Sequence, residues 1–402
     1  MSRETIVVAS AARTPFGRFG GPMSGFRLPQ LGSVAAREAL RRAAIEAGDV
    51  DEVIVGVNLP GSDRSIARQL ALQTDVPDDR VAYSVDRACC SSLTAISLGV
   101  RALRSGDVAT VVAGGVENLS RVPYFLEDMR WGKRLGHVEL VDQLVISCPH
   151  TGVPRAVQAG EEALLHDVSR EEQDAWAFRS QTRAAAAIER GAFDAEIIAI
   201  EAGDVPGEAD GVAVDESPRP SVTMAGLAKL RTVYGSPTVT AGTAPGLSTG
   251  AAFTVLVTAA DADRRGLRPL AAMLGTARVS AAPAQIASVP ATAIRLALAD
   301  AGKTLDDVDL IEINEAFAAV PLVSTLLLGD RDPTTVDRLR AMTNVNGGSI
   351  ALGHPTGATG ARLVMTMAHE LRRRGGGIGV VGICGGIGEA ESVVIEVVAG
   401  AD

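Results

Sequence analysis

The fold of this chain is indicated most directly by a strand that runs into a glycine-rich turn, Gly379-Val380-Val381-Gly382-Ile383-Cys384-Gly385-Gly386. An earlier segment, residues 109–115, has the same pattern, an apolar run ended by paired glycines. Short apolar runs of this kind predict buried strands. Further runs that predict strands are residues 6–9, 53–57, 251–257, 308–313 and 391–398. The recurrence of the pattern indicates an α/β protein with two similar halves.

Helices are predicted between these strands. The stretch after Cys89 is small or apolar on nearly every face as far as Arg101, which indicates a buried helix. Ser169 and Glu172 have the spacing of a capping box, so a helix is predicted to start after Ser169. Further predicted helices are residues 34–47 with Ser33 as N-cap, residues 361–374, and one that begins at Asn314.

The composition limits the class of protein and its partners. The chain has 402 residues, of which 47% are apolar and 43 are glycine, so it is long enough for two or three domains with large cores. The net charge of −10 argues against nucleic acid as a main partner, because phosphate binding needs a basic face. No stretch reaches the roughly 18 uninterrupted apolar residues of a membrane helix. Residues 1–5 lack the pattern of a signal peptide, so we expect a cytoplasmic protein without a membrane partner.

The middle of the chain differs from its two ends. Both tryptophans, two of the three tyrosines and many charges fall between about residues 120 and 245. This composition predicts a more solvated domain inserted into a regular core. The predicted domains are an N-terminal half of residues 1–119 plus 248–268, an inserted loop domain of residues 120–247, and a C-terminal half of residues 269–402.

Two cysteines stand where a reactive thiol is favoured. Cys89 lies at a predicted helix start, where unpaired N–H groups favour thiolate; the alternative is a buried structural cysteine. Cys384 lies among glycines, which let the backbone approach a ligand and present N–H groups to an oxyanion. The alternative for Cys384 is a small residue packed in a tight turn. Four cysteines in so long a chain do not make a disulfide framework, and no Cys/His cluster indicates a metal site.

A histidine and an asparagine complete the candidate set. His354 lies in a loop with glycines on both sides, which suggests a constrained loop facing a ligand, and histidine is the usual general base near neutral pH. The alternative is a loop histidine bonded to nearby backbone. Asn314 and Glu315 follow a predicted strand, where active-site residues of open α/β sheets tend to lie. A helix N-cap is the other interpretation of Asn314.

Taken together, these motifs closely resemble the thiolase family, and the resemblance covers nearly the whole chain. Four blocks in order and spacing carry it: Cys89-x-Ser91, Asn314-Glu315-Ala316-Phe317, residues 344–360, and Cys384-Gly385-Gly386-x-Gly388. Residues 12–17, 114–118 and 169–174 also fit the family pattern. The resemblance implies the thiolase fold, in which two similar mixed-sheet halves form five layers in the order αβαβα, with an inserted loop domain. It also implies an acyltransferase that catalyses reversible thiolysis of 3-oxoacyl-CoA, or condensation of an acyl-CoA with acetyl-CoA.

The resemblance also implies a role for each candidate residue. Cys89 would carry the acyl group after His354 takes its proton, and Cys384 would move a proton at carbon. Asn314 would hold a water that stabilises the enolate together with His354, and the N–H groups of Cys89 and Gly386 would form a second oxyanion hole.

Substrates and assembly follow from the same resemblance. Acyl-CoA, acetyl-CoA and CoA would be bound as substrates, without a metal or a redox cofactor, and a homodimer or homotetramer is expected. The candidate CoA contact is Arg219, and weaker candidates are Lys229, Arg231, Arg264 and Arg265.

Several positions depart from the family pattern. Asp86 replaces an asparagine, and Pro245 replaces a serine that touches the CoA arm. Cys90 and Ser92 flank Ser91 where small residues, often glycines, are usual. The segment that normally carries His-Met-Gly and Thr-Ala-Glu-Asn is altered between residues 150 and 161, so the family's histidine is not assigned to His150. Two rival functions remain open: a decarboxylating condensation like that of ketoacyl synthases, which Cys384 argues against, and a non-catalytic acyl-CoA scaffold.

Overall fold

The structure is a computed structural model and describes residues 4–145, 147–204, 206, 210–398 and 400. The outer ends of the predicted domains, residues 1–3 and 401–402, lie outside the described residues, as do most of the five N-terminal residues used to argue against a signal peptide. None of the described helices is long and apolar enough to cross a bilayer.

Strands and α-helices alternate along most of the described chain. The strands are β1 Ile6–Arg13, β2 Gly17–Arg18, β3 Glu52–Gly56, β4 Val81–Val85, β5 Thr110–Asn118, β6 Tyr124–Phe125, β7 Val141–Asp142, β8 Ser248–Thr258, β9 Ala271–Ser280, β10 Leu310–Ile313, β11 Gly377–Cys384 and β12 Glu389–Val397. The helices are α1 Leu28–Ala43, α2 Ile66–Gln73, α3 Ser91–Ser105, α4 Arg155–Leu165, α5 Arg170–Glu189, α6 Met224–Ala228, α7 Ala259–Arg265, α8 Val289–Asp300, α9 Ala319–Leu328, α10 Pro333–Met342, α11 Ser349–Leu352 and α12 Thr356–Arg373.

The two halves of the chain share one topology. In the first half the strand order is β3-β5-β8-β1, with β4 added outside β3. In the second half it is β10-β11-β12-β9, and the pattern is again one parallel pair followed by two antiparallel pairs. The half-sheets are joined where β1 pairs with β9 between Ile6–Val8 and Ala271–Met273. The predicted internal repeat is therefore present as a repeated strand order.

Helices cover both faces of each half-sheet. Apolar side chains of α1 and α2 pack against β1, β3, β5 and β8 on one outer face. Those of α8 and α9 pack against β10, β11 and β12 on the opposite outer face. Between the half-sheets, α3 and α12 share one buried cluster with strands of both. This is the five-layer αβαβα arrangement, so the predicted fold class is confirmed.

The start of α1 corrects one prediction. The helix runs over Leu28–Ala43 rather than 34–47, and Ser33 lies inside it, donating its hydroxyl to Gln30 O (2.8 Å). The start is set by Asp63, whose carboxylate accepts from Leu28 N at 3.0 Å. A carboxylate that is distant in sequence therefore replaces the local N-cap that the pattern predicted.

The predicted start of α12 and the predicted end of β5 are also wrong. Helix α12 begins at Thr356 rather than at residue 361, because Glu117 Oε2 accepts from Gly357 N (2.9 Å) and from the Thr356 hydroxyl (2.7 Å). Strand β5 continues through Gly114 and Gly115 as far as Asn118. A Cβ at Gly115 would lie 2.0 Å from Gly357 O, so the glycine permits close approach of α12 rather than ending the strand.

The capping box of α5 is confirmed, while the helix predicted at Asn314 is wrong in its start. Ser169 Oγ accepts from Glu172 N (3.1 Å), and Glu172 Oε2 accepts from Ser169 N (2.9 Å). Helix α9 begins only at Ala319, five residues after Asn314.

Because β5 and β8 are adjacent strands, the chain between them leaves the sheet and returns to it, carrying α4, α5, α6 and the β6-β7 hairpin. The exact domain boundaries remain a prediction.

Candidate active site

A cavity of about 750 Å³ lies where the two halves meet the segment between β5 and β8. Its lining includes Cys89 from the first half and His354, Cys384 and Gly386 from the second half. Residues that are far apart in sequence, including both predicted reactive thiols, therefore reach one cavity.

A sharp turn before α3 presents Cys89 to this cavity. Ala88 has φ 49°, in the left-handed region that residues with a side chain rarely adopt. The turn is held by Asp86 Oδ1, which accepts from Ala88 N (2.9 Å), and by Ser91 Oγ, which donates to Ala88 O (2.6 Å). Asp86, the departure from the usual asparagine, therefore still stabilises the turn before the thiol.

Close packing of α3 and α12 brings His354 to Cys89. Ser92 Oγ accepts from Ala361 N at 3.0 Å, which links the first turn of α3 to α12. A Cβ at Gly360 would lie 2.7 Å from Leu93 N, so this approach requires glycine. Cys89 and His354 lie just before α3 and α12, the equivalent helices of the two halves. The backbone N–H of His354 donates to Ser248 Oγ at 3.0 Å.

The hydrogen bonds of His354 define its tautomer. Nε2 lies 3.2 Å from Cys89 Sγ, and Nδ1 lies 2.7 Å from Thr359 Oγ1. The Thr359 hydroxyl donates its own hydrogen to Pro355 O (3.0 Å), so it accepts from Nδ1–H. We assign the proton to Nδ1 on this basis. Nε2 is then the unprotonated nitrogen and accepts from the Cys89 thiol.

The resting Cys89–His354 pair is neutral. Burial, and secondarily the charge of Arg362, lower the pKa of His354 to about 3. Burial also raises the pKa of the Cys89 thiol to about 12, and the Glu117 carboxylate adds to this rise. Near neutral pH the imidazole is thus a free base beside a protonated thiol, which is the arrangement of a nucleophile and its general base.

Cys384 lies at the end of β11 and is 2% exposed. Burial, followed by the neighbouring Cys89, raises the pKa of its thiol far above the usual range. After it the chain turns sharply: Gly385 N donates to Glu389 O (2.7 Å) and Gly386 has φ +82°. Gly386 lines the cavity beside the thiol, where the sequence analysis placed an oxyanion donor.

Asn314 lies behind His354 and is fully buried. Its Nδ2 is 3.4 Å from His354 Nε2, and its Oδ1 accepts from Ser349 Oγ at 2.7 Å. Ser349 Oγ in turn accepts from Arg362 Nη2 at 2.9 Å. Asn314 is therefore not a helix N-cap; its amide is oriented by Ser349 toward the imidazole.

Glu315, its neighbour, has a structural environment. The buried carboxylate accepts from Trp176 Nε1 (2.9 Å) and Ser180 Oγ (2.7 Å) of α5, and from Asn344 Nδ2 (3.0 Å). These contacts tie α5 to the loop after β10, which supports the position of Asn314.

The predicted CoA cations lie away from the cavity lining. Arg219 is exposed, and its backbone N–H donates to Gln181 Oε1 (2.7 Å). Arg264 and Arg265 form ion pairs with Asp261 at 2.6 and 2.8 Å. Lys229, Arg231 and His150 are exposed and also lie outside the lining. A CoA contact at Arg219 remains a prediction.

Other polar residues of the site escaped the sequence analysis. Thr359 orients the imidazole from five residues further along the same segment. Ser248 holds the histidine backbone and Glu117 fixes the adjoining helix through contacts between distant segments. Arg155 lines the cavity as well. Glu117 and Thr359 lie in segments that carry the family resemblance, and Arg155 lies in the altered segment between residues 150 and 161, so the sequence marks these positions without giving their roles.

Comparisons with known proteins agree with this geometry. Residues 6–260 match the family model "Thiolase, N-terminal domain" and residues 267–397 match "Thiolase, C-terminal domain". An acetyl-CoA acetyltransferase of Pseudomonas aeruginosa is 39% identical, over 98% of this chain and 99% of that protein. One of Syntrophomonas wolfei is 37% identical, over 98% of this chain and 100% of the relative.

Solved structures give the same result. The human mitochondrial 3-ketoacyl-CoA thiolase in complex with CoA matches with a TM-score of 0.91 and 36% identity, covering 98% of each chain. The acetyl-CoA acetyltransferase of Bacillus anthracis matches with a TM-score of 0.92 and 36% identity, covering 98% of this chain and 99% of that one. The chain belongs to the thiolase family and is an acyltransferase.

Proposed function

We propose that this protein catalyses reversible thiolysis of 3-oxoacyl-CoA thioesters through an acyl-enzyme on Cys89. The observation that carries the proposal is the distance of 3.2 Å between Cys89 Sγ and His354 Nε2 in a cavity that Cys384 also lines. The relatives named as acetyl-CoA acetyltransferases and the thiolase solved with CoA support coenzyme A thioesters as the substrates.

The first half-reaction uses both thiols. His354 Nε2 takes the proton of Cys89, and the thiolate attacks the 3-oxo carbon of the substrate. The bond between carbons 2 and 3 breaks and leaves the enolate of acetyl-CoA. Cys384 gives its proton to carbon 2 of this enolate, so acetyl-CoA departs, Cys89 carries the acyl group and Cys384 is left as thiolate.

The second half-reaction restores the enzyme. Cys384 takes the proton of an incoming CoA thiol, and the CoA thiolate attacks the acyl group on Cys89. The released Cys89 thiolate regains its proton from His354. Every proton and acyl group is assigned to a side chain or a substrate, so the proposed reaction uses no metal or redox cofactor.

Charge that develops on oxygen needs donors near each reacting carbon. The proposal assigns the oxygen of the acyl group to the N–H groups of Cys89 and Gly386, both of which line the cavity. The enolate oxygen is assigned to His354 and to a water held by Asn314. Ser349 donates to Asn314 Oδ1, and Asn314 Nδ2 lies 3.4 Å from His354 Nε2; these two contacts support the second assignment.

We further propose a homodimer or homotetramer. Strand β4 is an outer strand of the sheet, and its Val81 and Tyr83 are 61% and 37% exposed. An edge strand with exposed apolar side chains is a template for pairing with another chain. Light scattering coupled to size-exclusion chromatography tests this, and a monomer at micromolar concentration would contradict it.

The decisive test of the function is turnover of acetoacetyl-CoA with CoA, followed by loss of the enolate absorbance. We expect turnover that depends on both thiols. The rival scaffold function is supported by the altered segment between residues 150 and 161, and by Pro245 in the cavity lining. Tight acyl-CoA binding without turnover of any 3-oxoacyl-CoA would favour that function.

A further inference from the structure

Arg155 places a positive charge inside the catalytic cavity. It is the first residue of α4 and lines the cavity together with Cys89 and Cys384. Its guanidinium lies against the turn that follows Cys384: a Cβ at Gly386 would be 3.4 Å from Arg155 Nε and 3.6 Å from Cζ. Its charge also opposes the effect of burial on the pKa of both thiols. The cation is therefore close to the reacting groups.

Among the described residues, Arg155 forms no ion pair within 4.0 Å with a carboxylate. Its Nη1 donates to Gln158 Oε1 at 3.3 Å, and Gln158 is itself anchored by donating Nε2 to Thr151 Oγ1 at 3.3 Å. The guanidinium also lies beside the Cys148 sulfur. A guanidinium has five N–H donors, so these two neighbours leave donors available to a ligand.

The other arginine of the cavity is neutralised. Arg87 Nη1 lies 2.7 Å from Glu391 Oε2, and Nη2 lies 3.5 Å from Glu389 Oε1. The contrast matters because Arg155, unlike Arg87, has no carboxylate partner among the described residues, so the guanidinium N–H groups that do not face Gln158 and Cys148 can serve a ligand in the cavity.

The surroundings of Arg155 suit a short hydrocarbon chain. Ala156 and Ile286 belong to a buried apolar cluster against which Phe317 packs, and all three line the cavity. A ligand that passes from the thiols along these side chains to the guanidinium would present methylene groups to apolar walls and a negative group to Arg155.

We propose that Arg155 binds a carboxylate at the far end of the acyl group. The preferred substrates are then 3-oxoacyl-CoA thioesters of short dicarboxylic acids, and the group carried on Cys89 ends in a carboxylate. The inference rests on the proposed thiolase reaction and adds no chemical step to it. A carboxylate accepts two parallel N–H bonds from a guanidinium, whereas an uncharged tail offers no acceptor to the same N–H donors.

The test compares two substrates of equal chain length, the mono-CoA thioester of 3-oxohexanedioic acid and 3-oxohexanoyl-CoA. They differ only in whether the chain ends in a carboxylate or a methyl group. We expect the wild-type protein to prefer the dicarboxylate substrate by about tenfold or more in kcat/KM, in line with the strength of a charged hydrogen bond. This preference is measured without any substitution, so it tests the inference even if a variant fails to fold.

Substitutions at Arg155 assign the preference to this residue. Arg155→Met should lower kcat/KM for the dicarboxylate substrate by about tenfold or more relative to that for 3-oxohexanoyl-CoA, so that the preference is lost. Arg155→Lys should recover part of the preference, because it keeps the charge but not the planar fork. The matched control is Arg338→Gln on α10, which removes one exposed cation outside the cavity lining and should leave the ratio unchanged.

Three results would overturn the inference, and they are distinguishable. An equal loss on both substrates in Arg155→Met would mean that the cation serves the oxyanion or the CoA phosphates. Turnover of 3-oxohexanoyl-CoA without preference for the dicarboxylate would reject the inference and leave the proposed function standing. Turnover of neither substrate, nor of acetoacetyl-CoA, would reject both.

Discussion

The catalytic cavity has two sides that are built differently. One side, here called the core group, consists of Cys89, Asn314, His354 and Cys384. Its members lie at strand ends and helix starts of the two repeated halves, and Asn314 and Cys384 are at most 2% exposed. The other side, here called the covering wall, consists of the cavity residues between β5 and β8, within residues 119–156 and 233–247.

The comparison separates chemistry from substrate choice. The core group matches the family motifs, whereas Arg155 and Pro245, which depart from the pattern or lie in its altered segment, belong to the covering wall. Wall side chains such as Tyr234 and Val145 are 63% and 54% exposed, so they can change without loss of the packed core. We therefore expect the repeated sheets to determine the reaction and the loops over them to determine which acyl group is accepted.

The largest effect is expected for the nucleophile. Cys89→Ser should lower thiolysis by about 10⁴-fold or more, because the hydroxyl is a far weaker nucleophile beside the same imidazole. Steady-state thiolysis of acetoacetyl-CoA measures the loss. The matched control is the neighbouring Cys90→Ser, since Cys90 is fully buried, lies outside the cavity lining and donates to Ile383 O at 3.4 Å. A large loss of thiolysis activity in a normally folded Cys90→Ser variant would show that the effect is not specific to the cavity thiol of Cys89.

A second substitution tests the part of the core group that does not reach the cavity surface. Asn314→Ala should lower kcat about 10²-fold, because the water that stabilises the enolate loses its donor. KM should change little if Asn314 acts only on the transition state. Stopped-flow thiolysis gives both constants, and a rise in KM at unchanged kcat would instead place Asn314 in ground-state binding.

The pH dependence of alkylation contrasts the core thiol of Cys89 with the thiol of Cys148, which lies between β5 and β8 but outside the cavity lining. Because the pKa of Cys89 is raised to about 12, its thiolate fraction should rise about tenfold per pH unit between pH 6 and 9. Burial alone would raise the pKa of Cys148, but hydrogen bonds from Thr151, from backbone N–H groups and from Arg155 lower it to about 6. Its thiolate fraction should level off above about pH 7. Peptide mapping after iodoacetamide treatment measures the alkylation rates of Cys89 and Cys148. If the rate at Cys89 stopped rising below pH 7, Cys89 and His354 would form an ion pair at rest.

The smallest effect is expected in the covering wall at Pro245. Pro245→Ser provides a hydroxyl where the family pattern has the serine that touches the CoA arm. We expect the KM for CoA to fall a few-fold, as for one added neutral hydrogen bond of about 1 kcal/mol. Acyl-enzyme formation on Cys89 should be unchanged. Initial rates over a range of CoA concentrations measure the KM for CoA. An altered rate of acyl-enzyme formation would show that the covering wall also affects the chemical step.

Sequence patterns predicted the repeat, the capping box of α5 and the strands β1, β3, β5, β8, β10, β11 and β12. They did not predict β9, the strand that joins the two halves, and they misplaced the starts of α1, α9 and α12. For α1 and α12, carboxylates that are distant in sequence accept from the first N–H groups, Asp63 at α1 and Glu117 at α12. Such caps cannot be recognised from neighbouring residues. Local capping rules therefore failed at α1 and α12, where a distant carboxylate supplies the cap, and succeeded at Ser169, where the cap is local.

The candidate site shows the same division. Cys89, His354, Cys384 and Gly386 were predicted from motifs, and the structure places all four in the cavity lining. Thr359, which fixes the tautomer of His354, and Arg155, which adds a cation, were not predicted as site residues. Their significance depends on which side chains converge, and this follows from packing rather than from spacing along the chain.

The most direct measurement is intact-protein mass spectrometry of Cys384→Ala after incubation with acetyl-CoA, with Cys89→Ala in parallel. The proposed division of labour predicts one acetyl group on Cys384→Ala, at the peptide that contains Cys89, and no condensation to acetoacetyl-CoA. It predicts no acetyl group on Cys89→Ala. Loss of acetylation in both variants, with both folded, would contradict the separate roles of the two thiols.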